Sequence, residues 1–198
     1  AELTRKLLAF AREQRAAPRR LDLGEALPPV LELLRRGFGA DVLLEFRSEP
    51  GLWPVRMDPA QLEQLVTNLC LNARDALGGA GRIEVSVAPV RVSEAEARSA
   101  PGRSAGEFLR LRVADEGCGM EEEVLAHVFE PFFTTKPVGQ ASGLGLATVY
   151  GIAQQNGGTV EVRSRPGEGS VFDVGLPRCR AAGPDRGPGR PARPGSTN

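Results

Sequence analysis

The sequence predicts an α+β domain, a two-layer α/β sandwich in which about three helices cover one face of a mixed, mostly antiparallel sheet. Segments with apolar residues at helical spacing are interspersed with segments whose apolar residues fall at every second position. The later strand-like segments come in pairs joined by Gly- and Pro-rich turns, which favours antiparallel neighbours. The composition is that of a globular chain: of 198 residues, 41% are hydrophobic and 25% charged. Lys plus Arg number 25 and Asp plus Glu number 25, so no basic excess is available to neutralise phosphates, which argues against a nucleic-acid binder. No apolar run approaches the roughly 20 residues of a bilayer-spanning helix. The start, Ala1-Glu2-Leu3-Thr4-Arg5-Lys6, lacks a signal-peptide pattern and an initiator Met, so a piece of a longer chain is expected. Cys70, Cys118 and Cys179 are scattered without a CxxC pair, which suggests neither a zinc site nor a disulfide framework and makes a reducing, cytoplasmic setting the default.

Residues 1–17 read as a short amphipathic helix, with Leu3, Leu7, Leu8 and Phe10 near one face and Pro18 ending it. A second helix is expected from Gly24 to Gly37, its apolar face made by Leu27, Val30, Leu31 and Leu34. Pro28-Pro29 fit there only near the first turn. Val42–Phe46 reads as a strand, Pro50-Gly51 as a turn, and Trp53–Met57 as a second extended piece. Asp58-Pro59 then opens the strongest helix. Asp58 is a natural N-cap, Pro59 suits the first helical position, and Gln61 stands where a capping-box partner belongs. Leu62, Leu65, Leu69, Ala73 and Ala76 would face the core, and Gly78-Gly79 stop the helix after Leu77. Ile83–Val92 alternates as a strand, residues 93–106 form a polar loop, and Phe108–Ala114 is the partner strand. A short helix over about Glu121–Phe129 and a mobile loop over 130–142 precede a helix from Gly145 to Gln155. Thr159–Ser164 and Ser170–Leu176 make a closing hairpin. From Arg178 onward Pro, Gly, Arg and Ser dominate, and disorder is expected.

Four constellations carry chemistry. Asn68, Asn72 and Asp75 follow i, i+4, i+7, which puts two amides and a carboxylate on one helix face. That face is either simply solvated or a place where an amide oxygen meets a hard cation such as Mg²⁺. Asp115-Glu116-Gly117-Cys118-Gly119 ends a strand, either as a tight turn or as a place where backbone closely approaches a ligand and Asp115 accepts from an exocyclic amino group. Phe129-Glu130-Pro131-Phe132-Phe133-Thr134-Thr135-Lys136 places three aromatics beside Lys136, one of only two lysines. It reads as a lid whose lysine reaches a phosphate, or as a loop pinned by its Phe residues. Ser142-Gly143-Leu144-Gly145-Leu146-Ala147 opens a helix, where glycines and the helix N-terminus favour an anion. It is neither a Walker loop nor a dinucleotide fingerprint.

In this order, Asn68-x-x-x-Asn72-Ala73, Asp115-x-Gly117-x-Gly119, Phe129-x-Pro131-Phe132 and Gly143-Leu144-Gly145-Leu146 resemble the N, first glycine, F and second glycine boxes of the catalytic ATP-binding domain of sensor histidine kinases. Gly167-Glu168-Gly169-Ser170-Val171-Phe172 resembles the family's last glycine motif, and the resemblance covers about Leu21 to Pro177. The flavour is the nitrogen-regulation type often found in hybrid kinases. Leu7-Leu8-Ala9-Phe10-Ala11-Arg12 resembles the end of its second dimerisation helix, so 1–17 is expected to be a remnant of that helix, 18–177 the catalytic domain and 178–198 a disordered tail or linker.

The resemblance implies a Bergerat-type fold that takes ATP and Mg²⁺. Asn72 would hold the metal through its side-chain oxygen, and Asp115 would accept from the adenine amino group. Ser170 stands where a Thr often supports adenine through water. The backbone of Gly143, Leu144 and Gly145 would cradle phosphates, and Lys136 would neutralise the charge of the β- and γ-phosphates. Ala73, Asp75, Ala76, Gly117, Gly119, Met120, Thr135 and Leu146 complete the expected nucleotide-contact set. Gyrase, mismatch-repair and chaperone relatives carry a Glu one turn before the metal-holding Asn, as a base for hydrolysis. Here that position is Asn68, which cannot serve as one. Catalysis would rest on positioning and charge, with Asn68, Asn72 and Lys136 as the catalytic set. That favours phosphoryl transfer to an imidazole over hydrolysis.

Two departures matter. Many members carry a basic residue where this chain has Asp75, beside Arg74. The one histidine, His127, lacks an acceptor's helical context, so the phospho-acceptor is expected on an upstream dimerisation domain. A response-regulator receiver domain, on the same chain or another, and homodimerisation of the full protein are further implications. No nucleic acid and no direct membrane contact of this stretch are expected. A nucleotide-holding module without transfer is disfavoured by Asn72, Asp115, Lys136 and both glycine motifs, and a hydrolytic clamp by Asn68. A serine kinase of the anti-sigma type is disfavoured by the dimerisation-helix remnant. Cys118 and the charges over 93–106, together with Asp173, read as inert or solvated.

Overall fold

The structure, a computed structural model, describes residues 17–99, 104–137 and 142–179. The helix expected over 1–17 and the tail beyond Cys179 lie outside the described residues. Strand β1 (Arg19–Leu21) leads into helix α1 (Leu23–Phe38) and strand β2 (Val42–Ser48). Strand β3 (Val55–Met57) precedes helix α2 (Pro59–Leu77), then strand β4 (Gly81–Val92), a short helix α3 (Glu94–Ser99) and strand β5 (Gly106–Asp115). Helices α4 (Glu122–His127) and α5 (Gly145–Gln155) and strands β6 (Thr159–Arg165) and β7 (Gly169–Pro177) complete it.

Five strands form one sheet in the order β2-β4-β5-β7-β6. β2 runs parallel to β4, and every other pairing is antiparallel. A parallel pair needs a long crossover, and β3 with α2 supplies it. Strands β4, β5 and β7 bury alternate residues, among them Ile83, Val85, Leu109, Leu111, Phe172 and Val174, against α1, α2 and α5. The expected two-layer sandwich, with three helices on one face of a mostly antiparallel sheet, is what forms.

Helix α2 is built as its sequence reads. Asp58 Oδ1 accepts from Ala60 N at 2.8 Å, Pro59 opens the first turn, and Gly78 closes the helix in the left-handed region at φ 65°. Gln61 does not complete a capping box. Its side chain instead meets Gln155 at 2.9 Å and accepts from Asn156 at 2.9 Å, so it ties the start of α2 to the end of α5. Ala76 leaves the core line, and Val66 and Cys70 join it. Burial pushes the Cys70 thiol up to about 12, so it packs as an inert apolar group.

Other departures have physical causes. Pro28 and Pro29 sit inside α1, beyond its first turn, where they leave two carbonyls without helix partners. Those carbonyls belong to Gly24, half-buried, and Glu25, exposed, where water can serve them, while Leu23, Leu27 and Leu31 are buried. The Trp53–Met57 piece contributes only Val55–Met57, and it pairs with β1 rather than joining the main sheet. Part of the polar 93–106 stretch is helical because Ser93 and Glu96 form a reciprocal capping box: Ser93 N donates to Glu96 at 2.8 Å and Glu96 N to Ser93 Oγ at 3.2 Å. Asp173 is not solvated. Its carboxylate, 12% exposed, takes a two-bond contact from Arg112 at 2.7 and 2.9 Å and one from Arg163 at 2.6 Å. Burial opposes its charge, but the arginines outweigh that and hold its pKa below the usual carboxylate value. Arg178 and Cys179 are likewise fixed, through Arg178 N to Glu107 O and Cys179 N to Pro54 O.

Restoring the lost helix bond gives a direct check. Pro28→Ala is expected to raise the unfolding free energy by about 1 kcal/mol or more, measured by urea unfolding. A lower midpoint would mean that the proline ring packs to better effect than the restored bond.

Candidate active site

Helix α2 presents a second face, away from the core, to a cavity of about 440 Å³. Asn68, Asn72, Asp75 and Ala76 line it from α2, and Asp115, Gly119 and Met120 from the end of β5 and the turn beyond. Thr135 and Lys136 come from the loop after α4, Gly143, Gly145 and Leu146 from the start of α5, and Ser170 from β7. Three expected contact residues stand elsewhere. Ala73 is buried in the core at 3% exposure, because it lies on the opposite side of α2. Gly117 and Leu144 are not among the lining residues: Gly117 N donates to Asp115, and Leu144 O accepts from Thr148 N in the first turn of α5.

Asp115 is 6% exposed at the cavity floor. Its Oδ1 accepts from Gly117 N at 2.9 Å, and it takes a second main-chain bond from Ser170. Burial is the largest influence and pushes the carboxyl above its ordinary value, with the two backbone donors opposing it. Ser170 Oγ is 3.0 Å from Ser164 Oγ. Asn68 Nδ2 donates to Gly145 O at 3.3 Å and so ties α2 to the first turn of α5. Among the described residues the Asn72 side chain makes no hydrogen bond, which leaves its amide oxygen available in the cavity.

The glycines serve the protein's own packing as well as any ligand. A Cβ on Gly119, at φ 67°, would lie 1.9 Å from Arg165 O, and one on Gly143, at φ 66°, 2.4 Å from the Phe132 carbonyl carbon. Cys118 N donates to Ala76 O and Gly167 N to Cys118 O, so the turn after β5 is stitched between α2 and the β6–β7 hairpin. The aromatics of the loop divide their tasks. Phe129 packs on the core and meets Tyr150, Phe133 lines the cavity, and Phe132 is 63% exposed at φ 70° with its N–H bonded to Gly143 O. His127 is exposed and pairs with Glu130 at 2.8 Å, outside the cavity.

Asp75 and Lys136 meet at the rim, each about one-third exposed, with Lys136 Nζ 2.5 Å from Asp75 Oδ2. Burial opposes the Asp75 charge, but bonds from Lys136 and Arg74 hold its pKa below the ordinary value. The apolar walls Leu71, Val124 and Val128 belong to none of the sequence motifs, while Cys118, Phe133, Thr134, Ser142 and Phe172 lie within motifs but were not among the expected contacts. Val124 in α4 and Val128 just past its end stand at i, i+4, and Phe172 follows Ser170 at i+2 on β7, signals that were present in the pattern. The volume and the mix of apolar walls with a few convergent polar groups are those of a small-molecule site.

The fold and site together define a nucleotide-binding α/β sandwich. The chain belongs to the histidine kinase-, DNA gyrase B- and HSP90-like ATPase family, whose sequence profile matches residues 57–180. It is 40% identical over 178 residues to the sensor kinase CckA of Brucella abortus, covering 90% of this chain and 19% of CckA. It is 35% identical over 174 residues to the sensor histidine kinase ZraS of Klebsiella oxytoca, covering 87% of this chain and 34% of ZraS. The chain thus spans about a fifth to a third of these relatives. Its fold matches the mycobacterial sensor histidine kinase MprB with a TM-score of 0.64 at 26% identity, over 82% of this chain and 98% of that one. It matches full-length ShkA, solved with AMPPNP, with a TM-score of 0.68 at 26% identity, over 93% and 37% of the two chains. Among the described residues no helix is long and apolar enough to cross a membrane.

The buried Asp115 charge has a testable cost. Its folded pKa is raised, so ionisation destabilises the folded state progressively as pH rises from the unfolded value of about 3.9 through the folded value. Asp115→Asn, whose carbonyl can keep the Gly117 bond, is expected to match the parent in urea midpoint at pH 3.5 and to exceed it increasingly towards pH 7. A variant less stable at pH 7 than at pH 3.5, relative to the parent, would contradict this.

Proposed function

We propose that this chain is the catalytic ATP-binding domain, spanning residues 18–177, of a two-component sensor histidine kinase. It would transfer the γ-phosphoryl group of ATP to a histidine on an upstream dimerisation domain. The observation that carries the reading is one cavity joining a buried Asp115, the available Asn72 amide and Lys136, with an amide rather than a carboxylate at Asn68. The sensor kinases among its relatives support it.

Each group has a physical task. Asp115 accepts from the exocyclic amino group of adenine, between apolar walls that include Met120 and Phe172. The start of α5, an eleven-residue helix, offers backbone N–H groups and a positive dipole end to the phosphates. Asn68 orients that start through Gly145. Lys136 adds a point charge at the rim. Among the described residues no three His, Cys, Asp or Glu side chains cluster to hold a metal unaided. One amide oxygen at Asn72 suits Mg²⁺, which keeps waters and takes phosphate oxygens for the rest of its shell. The bound ion would neutralise phosphate charge.

An imidazole nitrogen of the acceptor attacks the γ-phosphorus. A P–N bond forms as the bond from that phosphorus to the β,γ-bridging oxygen breaks, and ADP leaves with the electron pair. Asn68 takes no proton from water, so hydrolysis lacks its base. The partners that follow are the upstream histidine domain and a receiver domain, with the full protein a homodimer in the cytoplasm.

The test supplies the upstream helical domain of the parent protein in trans with ATP labelled at the γ-phosphate. Acid-labile label is expected on that domain and none on this chain. Asn72→Ala should reduce transfer about 100-fold or more, as expected for losing a contact to developing charge. Release of free phosphate without labelling would favour a hydrolase instead.

A further inference from the structure

The chemistry above uses Lys136 but gives no task to Asp75, its partner in an ion pair at the cavity rim. Asp75 Oδ2 is held by Lys136 Nζ, and Asp75 Oδ1 by Arg74 through Nε at 3.1 Å and a terminal nitrogen at 2.6 Å. The Arg74 guanidinium in turn lies 5.5 Å from the centre of the Phe38 ring, at the end of α1. Phe38, Arg74, Asp75 and Lys136 therefore form one chain of contacts from the helical layer to the loop after α4. Lys136 is fixed from its own side too, since its backbone N–H donates to Thr134 Oγ1 at 3.1 Å.

We propose that Asp75 is a positioning residue that holds Lys136 at the cavity rim, ready for the triphosphate. The proposal rests on the nucleotide-binding reading. An ammonium has three donors, and Asp75 uses one, so two remain for phosphate oxygens without breaking the pair. The cluster of Arg74, Asp75 and Lys136 keeps one net positive charge, which suits an anionic ligand. A lysine stem is among the most flexible side chains, and tethering it beforehand removes that ordering cost from the binding step. Arg74 keeps the carboxylate charged and aimed. A residue that would repel phosphate if left alone thus becomes the anchor of the cation that attracts it.

The test has two arms. Calorimetry compares ATP with adenosine, which has no phosphates, on the parent chain, Asp75→Asn, Asp75→Glu, Lys136→Met and the double variant Asp75→Asn/Lys136→Met. Asp75→Asn should weaken ATP about fivefold, in line with a partly exposed charge pair, and leave adenosine unchanged. Asp75→Glu should restore most of the loss. In the Lys136→Met background the same Asp75→Asn change should alter ATP affinity by less than about twofold. The second arm is amide hydrogen exchange at Thr135 and Lys136 without nucleotide, expected to quicken about fivefold in both Asp75→Asn and Lys136→Met. Unchanged or tighter ATP binding in Asp75→Asn would overturn the proposal, because the carboxylate would then be a competitor. Equal loss for adenosine would overturn it as well, by showing a merely structural role. A parent chain that binds no ATP would sink the nucleotide reading and this proposal's link to phosphate, while the exchange arm would still report whether the tether exists.

Discussion

The structure depends on one helix burying one face while presenting the other. On α2, Leu62, Leu65, Val66, Leu69, Cys70 and Ala73 are at most 3% exposed. Full burial of a Leu side chain contributes about 1.5–3 kcal/mol relative to exposure. Those residues lock the helix to the sheet and to α1. Asn68, Asn72 and Asp75 point the other way, into the cavity. Because the rotation of the helix is fixed by its buried side, the direction of the three polar groups is fixed with it. The core that holds one side of the helix thus sets the direction of the other, and Asn68 and Asp75 are then fixed further by Gly145, Arg74 and Lys136.

The sheet contributes the other half of the cavity by ending where it does. Asp115 is the last residue of β5, paired with Ser170 on β7, and the chain then turns under the C-terminal end of α2. The bonds from Cys118 N to Ala76 O and from Gly167 N to Cys118 O close that corner in backbone, where there is no room for side chains on Gly119. The glycine motif is thus a packing requirement before it is a ligand motif. Any residue larger than glycine would push apart the two walls that the Asp115 carboxyl stands between.

Much of this was legible in the sequence where periodicity and caps agree. The Asp58-Pro59 start and the Gly78 stop specify α2, and alternating valines and leucines specify β4, β5 and β7. The i, i+4, i+7 spacing places Asn68, Asn72 and Asp75 on one face of α2, and the fold turns that face to the cavity rather than to bulk solvent. What was not legible depends on partners distant in sequence. Gln61 had a local role by spacing, but Gln155 and Asn156 compete for it. Asp173 looked solvated until β5 and β6 brought Arg112 and Arg163 beside it. Pro28-Pro29 looked misplaced because local propensity cannot see the burial of Leu27 and Leu31 that carries the helix through. The Ser93–Glu96 capping box was a local signal in plain view, hidden by the polarity of its surroundings. Asp75 was expected as a nucleotide contact, and only the fold reveals that it faces Lys136, sixty-one residues away.

In the proposed kinase reading Asp115 meets the base while Asn72 and Lys136 serve the phosphates. It is tested most directly by titrating the chain with AMPPNP and GMPPNP in the calorimeter, with and without Mg²⁺, for the parent and Asp115→Asn. Binding of the adenine nucleotide is expected, strengthened by Mg²⁺ and at least about tenfold tighter than that of the guanine one, because adenine offers an amino donor where guanine has a carbonyl facing the carboxylate. That preference should vanish in Asp115→Asn. Equal affinity for the two bases in the parent chain, or a preference that survives Asp115→Asn, would contradict it.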